Sequence, residues 1–235
     1  MLNRGDDILI LLAAGSARRM QSVVDDKITA MLAGTPVFVH SLRAFLNTGL
    51  IGRVIITYRD SDQFARLRLQ LAENPMPDHL IQFVSGGESR QDSVYAALQT
   101  CEGHTGLVHI HDGARPLVTD EAIRKVRAKA WATGAAILAG RSADTVKIAK
   151  GDSDSVEASP DRGLVWTAET PQVFRTSTVL RAYRKVAMLG RKVTDDSSAV
   201  EYVGQDVSLV ENTTVNLKLT RPSDFVLAEA ILKTR

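Results

Sequence analysis

Apolar runs alternate with helical patterns along most of the chain. The first run, residues 8–13, is uninterrupted, which is typical of a strand covered on both faces of a sheet. Further short runs predict strands over residues 54–57, 81–84, 107–111, 135–139 and 207–210. Helical spacing predicts helices over residues 64–71, 91–98 and 177–186, and others that start at Thr35-Pro36, about Thr119 and Pro222. This alternation favours an α/β fold with a doubly wound, mostly parallel sheet.

One segment, residues 144–169, departs from the alternation of strands and helices. Residues 145–148 and 164–167 each alternate between apolar and polar side chains, and a long stretch rich in Ser, Asp and Gly separates them. We predict two strands that form an antiparallel β-arm projecting from the sheet. Its apolar side chains need a covering surface, which either a second subunit or the arm's own domain supplies; they are Val146, Ile148, Val165 and Trp166.

Composition and charge narrow the possible partners. The 235 residues are 44% hydrophobic and 24% charged, which predicts one folded domain over residues 1–235. The net charge of +2 gives no reason to expect a nucleic-acid or membrane partner. No apolar run reaches the roughly 18 residues of a membrane span, and the first run lacks the features of a signal peptide. A lone cysteine, Cys101, fits a reducing compartment, so we expect a cytoplasmic protein.

Three loops follow predicted strands, at the edge where an open parallel sheet binds ligands. Residues 12–20 combine small and basic side chains, residues 86–93 begin with two glycines, and residues 111–116 follow the fourth strand. Backbone N–H groups in small-residue turns bind phosphates, and a carboxylate such as Asp112 holds ribose hydroxyls or Mg²⁺. Each loop taken alone is also compatible with a structural turn, and Asp112 with an ion pair to Arg115.

Several common chemistries find no support in the motifs. The five histidines are scattered and Cys101 stands alone, which argues against a His/Cys metal cluster and against cysteine-dependent catalysis. No serine lies in a nucleophile-elbow motif, and the first loop matches neither the dinucleotide fingerprint nor the P-loop. We interpret His111 as a hydrogen-bonded strand residue rather than a general base.

Taken together and in order, the motifs resemble one family over nearly the whole chain. They are Ala-Ala-Gly-x-x-x-Arg-Met at 13–20, Lys27, Gly-Gly-Glu-x-Arg-x-Asp-Ser-Val at 86–94, His-Asp-x-Ala-Arg-Pro at 111–116, Asp-Thr-Val-Lys at 144–147, Thr-Pro-Gln at 170–172, Thr-Asp-Asp-Ser at 194–197 and Asn-x-Lys-x-Thr-Arg-Pro at 216–222. The set resembles the 2-C-methyl-D-erythritol 4-phosphate cytidylyltransferases of the non-mevalonate isoprenoid pathway.

The resemblance implies an activity, a fold and partners. Enzymes of this family join CTP to methylerythritol phosphate and release pyrophosphate. The chain is therefore expected to have a Rossmann-like nucleotidyltransferase fold, to use Mg²⁺, and to form a homodimer through the arm. The alternatives are a cytidylyltransferase for another polyol phosphate, such as ribitol 5-phosphate, and a weakened or non-catalytic nucleotide-binding relative. The motifs at 144–147 and 194–197 favour the methylerythritol enzyme.

Motif positions also imply residue roles. The nucleotide would be held by Ala13, Ala14, Gly15, Gly87, Ser93 and Asp112, with Asp112 also the candidate metal ligand. Catalysis at the reacting phosphates would fall to Arg19 and Lys27, together with Lys218. The methylerythritol phosphate side, part of it across the dimer interface, would be formed by Thr145, Arg162, Thr170, Thr194 and Lys218.

Two departures from the family pattern lie in the first loop and its continuation. Ala17 stands where the family usually has a second glycine, and Asp26-Lys27-Ile28 replaces the usual Pro-Lys-Gln. A methyl group at a position that needs close phosphate approach costs affinity, on the order of 1 kcal/mol. Asp25 and Asp26 either bind Mg²⁺ or repel substrate until the loop rearranges.

Overall fold

The computed structural model describes residues 5–15, 26–77 and 80–235. Arg19, Ala17 and Asp25, which carry predictions above, lie outside the described residues. In chain order the strands are β1 (Asp7–Leu12), β2 (Met31–Leu32), β3 (Thr35–Pro36), β4 (Ile51–Tyr58), β5 (Ile81–Ser85), β6 (Leu107–Asp112), β7 (Ala135–Arg141), β8 (Ile148–Ala149), β9 (Val156–Ala158), β10 (Trp166–Arg175) and β11 (Ser208–Glu211). The α-helices are α1 (Val37–Leu46), α2 (Ser61–Glu73), α3 (Arg90–Gln99), α4 (Asp120–Thr133), α5 (Thr176–Met188), α6 (Asp196–Glu201) and α7 (Pro222–Leu232).

Strand β1 lies inside a seven-stranded sheet of order β11-β7-β10-β6-β1-β4-β5. Every neighbouring pair is parallel except the two made by β10, which runs antiparallel to both β6 and β7. The chain first builds outward from β1 through β4 and β5, then returns to place β6 on the other side of β1. This reversal puts a topological switch point beside β1, at the carboxyl ends of the parallel strands, where open α/β sheets bind ligands. The predicted fold class is confirmed.

Helices cover both faces of the sheet, which explains the uninterrupted apolar sequence of β1. Ile8 and Ile10 point into a core formed with α3, α5 and α6. Leu9 and Leu11 point into a second core formed with α1 and α2. Because successive strand residues face opposite sides, a strand buried on both faces needs apolar side chains at every position.

Helix α1 starts one residue later than predicted. Pro36 is its N-cap rather than its first residue, and it pairs with Met31 across the small β2–β3 sheet. The proline that was expected to open the helix therefore ends a short strand. The fixed backbone φ of proline, here −58°, suits both neighbouring conformations.

Arg127 lies in the middle of α4 and faces the protein interior. Arg127 is buried, and its Nε donates to Asp7 Oδ2 at 2.6 Å, while His109 Nε2 lies 2.9 Å from the same oxygen. Burial would raise the pKa of Asp7, but the hydrogen bonds and charges of His109 and Arg127 lower it overall. The ion pair ties α4 to the start of β1.

The β-arm is present, but its second strand was placed wrongly. The hairpin pairs β8 with β9, whereas residues 164–167 were expected to supply the second strand. Trp166 instead starts β10 and pairs with Arg141 of β7 in the main sheet. Pro171, inside β10, hid this strand because proline is rarely found in a central strand. The register between β10 and β7 shifts between Ala168 and Gln172, around this proline.

Candidate functional site

A cavity of about 430 Å³ opens at the switch point of the sheet. The loops that follow β1, β4, β5 and β6 line it, and side chains from two distant segments, Lys27 and Lys218, complete it. The volume lies within the usual range of small-molecule sites. The three loops predicted to carry chemistry therefore meet at one place.

Hydrogen bonds to the neighbouring strand hold the start of the small-residue loop after β1. Thr57 Oγ1 accepts hydrogen bonds from the backbone N–H groups of Ala13, at 3.1 Å, and Ala14, at 3.4 Å. Ala14 and Gly15 line the cavity, whereas Ala13 is buried behind them. The nucleotide-binding roles predicted for these three residues stay predictions, and for Ala13 the structure favours support of the loop.

The glycine turn after β5 lies directly against the first loop. A Cβ at Gly86 would lie 2.6 Å from the Cβ of Ala14 and 2.7 Å from Ser93 Oγ, so only glycine allows this approach. The N–H of Gly87 donates to Ser93 Oγ at 3.1 Å, and Ser89 caps α3. Gly87 and Ser93 both line the cavity, and their nucleotide-binding roles stay predictions. The segment is therefore at once a capped turn and a wall of the site.

Asp112 is the centre of a cluster of charges on the β6 side of the cavity. Lys218 Nζ lies 2.7 Å from its carboxylate, Arg90 Nε 3.3 Å and Arg115 Nε 3.7 Å. Burial would raise the pKa of Asp112, but the charges of Arg90 and Lys218 outweigh burial and lower it. The carboxylate is ionised, and it places Lys218, which is 106 residues away in sequence, in the cavity.

Hydrogen bonds to buried residues also position Asp112. Its backbone N–H donates to Thr170 Oγ1 at 3.1 Å, and the same hydroxyl lies 3.0 Å from His111 Nδ1. Burial lowers the pKa of His111 to about 3, so its ring is neutral near pH 7. His111 also bonds to the carbonyl oxygen of Arg115, which agrees with a structural role. Thr170 is buried and does not line this cavity; its predicted contact with the second substrate stays a prediction.

Arg90 joins the cavity to the helices behind it. Its two terminal nitrogens donate to both carboxylate oxygens of Asp196, at 3.0 and 2.7 Å. Asp196 is fully buried and also accepts a hydrogen bond from Tyr183 Oη at 2.5 Å. Burial would lower the pKa of Arg90, but Asp196 and Asp112 raise it. The Thr-Asp-Asp-Ser motif therefore contributes a carboxylate that fixes a cavity-lining arginine.

Asp26, whose charge is expected from the sequence to affect Mg²⁺ or substrate, does not line the cavity. It is buried, accepts a hydrogen bond from Ile28 N at 2.9 Å and another from Gln63 Nε2 at 2.5 Å, and lies 3.8 Å from Arg59. Lys27, the next residue, lines the cavity, and its catalytic role stays a prediction. The acidic residue therefore belongs to the protein interior, while the lysine belongs to the site.

The structure does not bring every predicted substrate residue into this cavity. Thr145 and Arg162 are exposed beside the arm, where Arg162 donates to the carbonyl oxygen of Ala143 at 3.1 Å. Thr194 is exposed just before α6 and lies 3.0 Å from Ser198 Oγ. Their roles in binding the second substrate stay predictions, and a cavity formed within one chain does not explain them.

Sequence reasoning missed two cationic residues of the site. Arg90 was part of a quoted motif but had no assigned role, and Arg59 was not considered. Arg59 directly follows the end of β4, at the sheet edge already expected to bind ligands. A basic residue at that edge was the available signal.

The described residues fit Mg²⁺ only together with a phosphate ligand. They contain no group of three or more His, Cys, Asp or Glu side chains that would hold a metal ion. Mg²⁺ is often held by one or two carboxylates plus substrate phosphates, and Asp112 offers one carboxylate in the cavity. Because three cationic side chains surround that carboxylate, Mg²⁺ would enter with the negative charge of a nucleotide.

Fold and site together define an α/β nucleotidyltransferase. The cavity combines glycine turns with four cationic side chains, Lys27, Arg59, Arg90 and Lys218, among its described residues. Phosphoryl and nucleotidyl transfer need positioning and charge stabilisation rather than a protein nucleophile. Cys101 is fully buried outside the cavity, and burial raises the pKa of its thiol to about 11, both of which argue against this cysteine as a nucleophile.

Comparison with known proteins gives the family. The family model for 2-C-methyl-D-erythritol 4-phosphate cytidylyltransferase matches residues 8–234. The chain is 38% identical to the enzyme of that name from Bacillus velezensis, over 96% of this chain and 95% of the relative. The crystal structure of 4-diphosphocytidyl-2C-methyl-D-erythritol synthase from Anaerococcus prevotii superposes with a TM-score of 0.84 at 28% identity, covering 97% of this chain and 99% of that one. This chain belongs to the 2-C-methyl-D-erythritol 4-phosphate cytidylyltransferase family.

Proposed function

We propose that the protein transfers CMP from CTP to 2-C-methyl-D-erythritol 4-phosphate in isoprenoid precursor biosynthesis. A phosphate oxygen of the sugar alcohol attacks the α-phosphorus of CTP, the bond from that phosphorus to the bridging oxygen breaks, and pyrophosphate leaves. Membership of the family, together with a cavity that holds Lys27 and the Asp112–Lys218 pair, carries this proposal.

The charges of the cavity support transfer of a nucleotidyl group. The triphosphate and the attacking phosphate are both anionic, so their approach requires cations held in place before the reaction. Lys27 and Lys218 enter the cavity from different segments, and Arg90 is fixed by Asp196. We assign Lys27 to the reacting phosphates, as the family resemblance implies for Lys27 and Arg19, and Lys218 to orientation of the attacking phosphate.

Mg²⁺ is part of the proposal. Asp112 would hold the ion, which would neutralise phosphate charge when bound.

In the described residues, no helix has the length and apolar character needed to cross a membrane. The cytoplasmic location expected from the sequence stays a prediction.

Pyrophosphate release separates the three candidate functions. We expect release with CTP plus 2-C-methyl-D-erythritol 4-phosphate, and not with ribitol 5-phosphate or with ATP in place of CTP. Release with ribitol 5-phosphate alone would assign the protein to the other polyol phosphate. No release with either acceptor, from protein that still binds CTP by calorimetry, would identify a non-catalytic relative.

A homodimer is the second part of the proposal. Ile148 and Val156 of the arm are 48% and 58% exposed, and exposed apolar patches of this kind mark interfaces. The exposed positions of Thr145 and Arg162, outside the cavity of their own chain, fit a role in the partner's site. We expect a particle of twice the 25.6 kDa chain mass at micromolar concentration; a monomer would contradict the proposal.

Mixing two inactive variants tests whether Arg162 acts across the interface. In a mixed dimer of Lys27→Ala and Arg162→Ala, one site has lost both residues and the other has kept both. After subunit exchange of equal amounts, about a quarter of the parental turnover should return, because half the dimers are mixed and each has one intact site. If Arg162 acts within its own chain, no turnover returns.

A further inference from the structure

Arg59 lines the cavity but takes no part in the cluster of charges around Asp112. It directly follows β4 and lines the same cavity as Lys27 and Gly15. Leu12 pairs with Thr57 in the parallel register, so the loop after β1 and the turn that holds Arg59 leave the sheet side by side. A phosphate chain bound at the small-residue loop would therefore lie next to this guanidinium.

Hydrogen bonds fix the backbone of Arg59 and the Nε edge of its guanidinium group. Its backbone N–H donates to Gln63 Oε1 at 2.7 Å, and its Nε donates to Asp60 Oδ2 at 2.7 Å. Asp60 is itself fixed as the N-cap of α2, where it accepts from Gln63 N at 2.8 Å. Asp26 lies 3.8 Å from the Nη2 atom, beyond hydrogen-bond distance.

Gln63 is the residue that joins these segments. It is fully buried, and its Nε2 donates both to the carbonyl oxygen of Ala13, at 3.0 Å, and to Asp26. One amide therefore connects the small-residue loop, the segment that leads into Lys27, and the turn of Arg59. The Gln63 amide reaches the segment of Lys27 through the carboxylate of Asp26, which replaces the proline usual in the family.

We propose that Arg59 is a second phosphate-binding residue of the cavity and that it binds the pyrophosphate portion of CTP, a role that rests on the proposed function. Within the described residues, the side-chain hydrogen bond of Arg59 uses Nε, so its Nη atoms, one of them 3.8 Å from Asp26, keep donors for a phosphate. A guanidinium binds phosphate through paired N–H donors, and its charge persists at any physiological pH. Asp26, Asp60 and Gln63 act as positioning residues for it.

Binding of CTP compared with CMP tests this role directly. CMP lacks the pyrophosphate portion, so Arg59→Met should weaken CTP binding at least about tenfold and leave CMP binding unchanged. Arg59→Lys, which keeps the charge, should recover part of the loss. Arg66→Met is the matched control, since Arg66 is exposed on α2 outside the cavity, and it should alter neither ligand.

Each result of the calorimetric titrations decides the proposal. If Arg59→Met weakens the binding of CTP and CMP equally, Arg59 has a structural role. If CTP binding is unchanged, Arg59 only pairs with Asp60. Either result overturns the inference. Normal CMP binding also shows that the variant is folded. If the parent protein prefers CTP through Arg59 yet releases no pyrophosphate, the proposed function fails and this inference stands.

Discussion

Replacement of Lys27 by alanine is expected to lower turnover about 10²- to 10³-fold and to weaken CTP binding much less. The lysine lines the cavity. In the proposed reaction its ammonium group would meet phosphate charge that grows as the bond to pyrophosphate breaks. Removal of one preorganised donor to such developing charge costs about 2.7–4 kcal/mol in other enzymes. Because most of this interaction arises in the transition state, the loss falls on kcat.

The Lys27→Arg variant refines the same prediction. A planar guanidinium presents its charge in a different shape from a compact ammonium, so it should restore only part of the rate. Single-turnover kinetics with saturating CTP measures the chemical step, and circular dichroism checks folding. Turnover of Lys27→Ala within a few-fold of the parent would move the catalytic assignment to Arg19 or another cation.

Most of the fold was predictable because its signals are local. The buried strands are short apolar runs, and the caps of α2, α3 and α4 are the residue types that favour helix starts. One exception was β10, where Pro171 interrupts a strand that tertiary pairing nevertheless places in the middle of the sheet. Helix α6 was also missed, since six residues are too few to show a helical period.

The position of the site in the fold was predictable from the sequence, but the hydrogen bonds and ion pairs that orient its side chains were not. The rule that ligands bind at the carboxyl ends of parallel strands located the three loops correctly. The pairs that orient them join residues far apart in sequence, such as Arg90 with Asp196 and Ala13 with Gln63. One sequence contains no signal for such pairs. The burial of Asp26 was missed for the same reason, because its partners lie directly after β4 and on α2.

Replacement of Asp196 by asparagine is expected to destabilise the protein by about 3 kcal/mol. Asp196 is fully buried, and its carboxylate receives two hydrogen bonds from Arg90 and one from Tyr183. Breaking a buried ion pair by removing one charge costs roughly 3–5 kcal/mol, because the other charge stays in place. Arg90 is 30% exposed along its side chain and retains Asp112, so the lower end applies. Urea unfolding measures the difference.

Asp206→Asn is the matched control for Asp196→Asn. The chemical change is the same, but Asp206 is exposed at the surface. We expect a change within about 0.5 kcal/mol for Asp206→Asn. Adding Arg90→Met to Asp196→Asn should recover part of the stability, since it removes the unpaired charge. The contrary result is a double variant that is less stable than Asp196→Asn alone. In that case Arg90 and Asp196 stabilise the protein through packing, and their ion pair is not what holds α6 against the cavity.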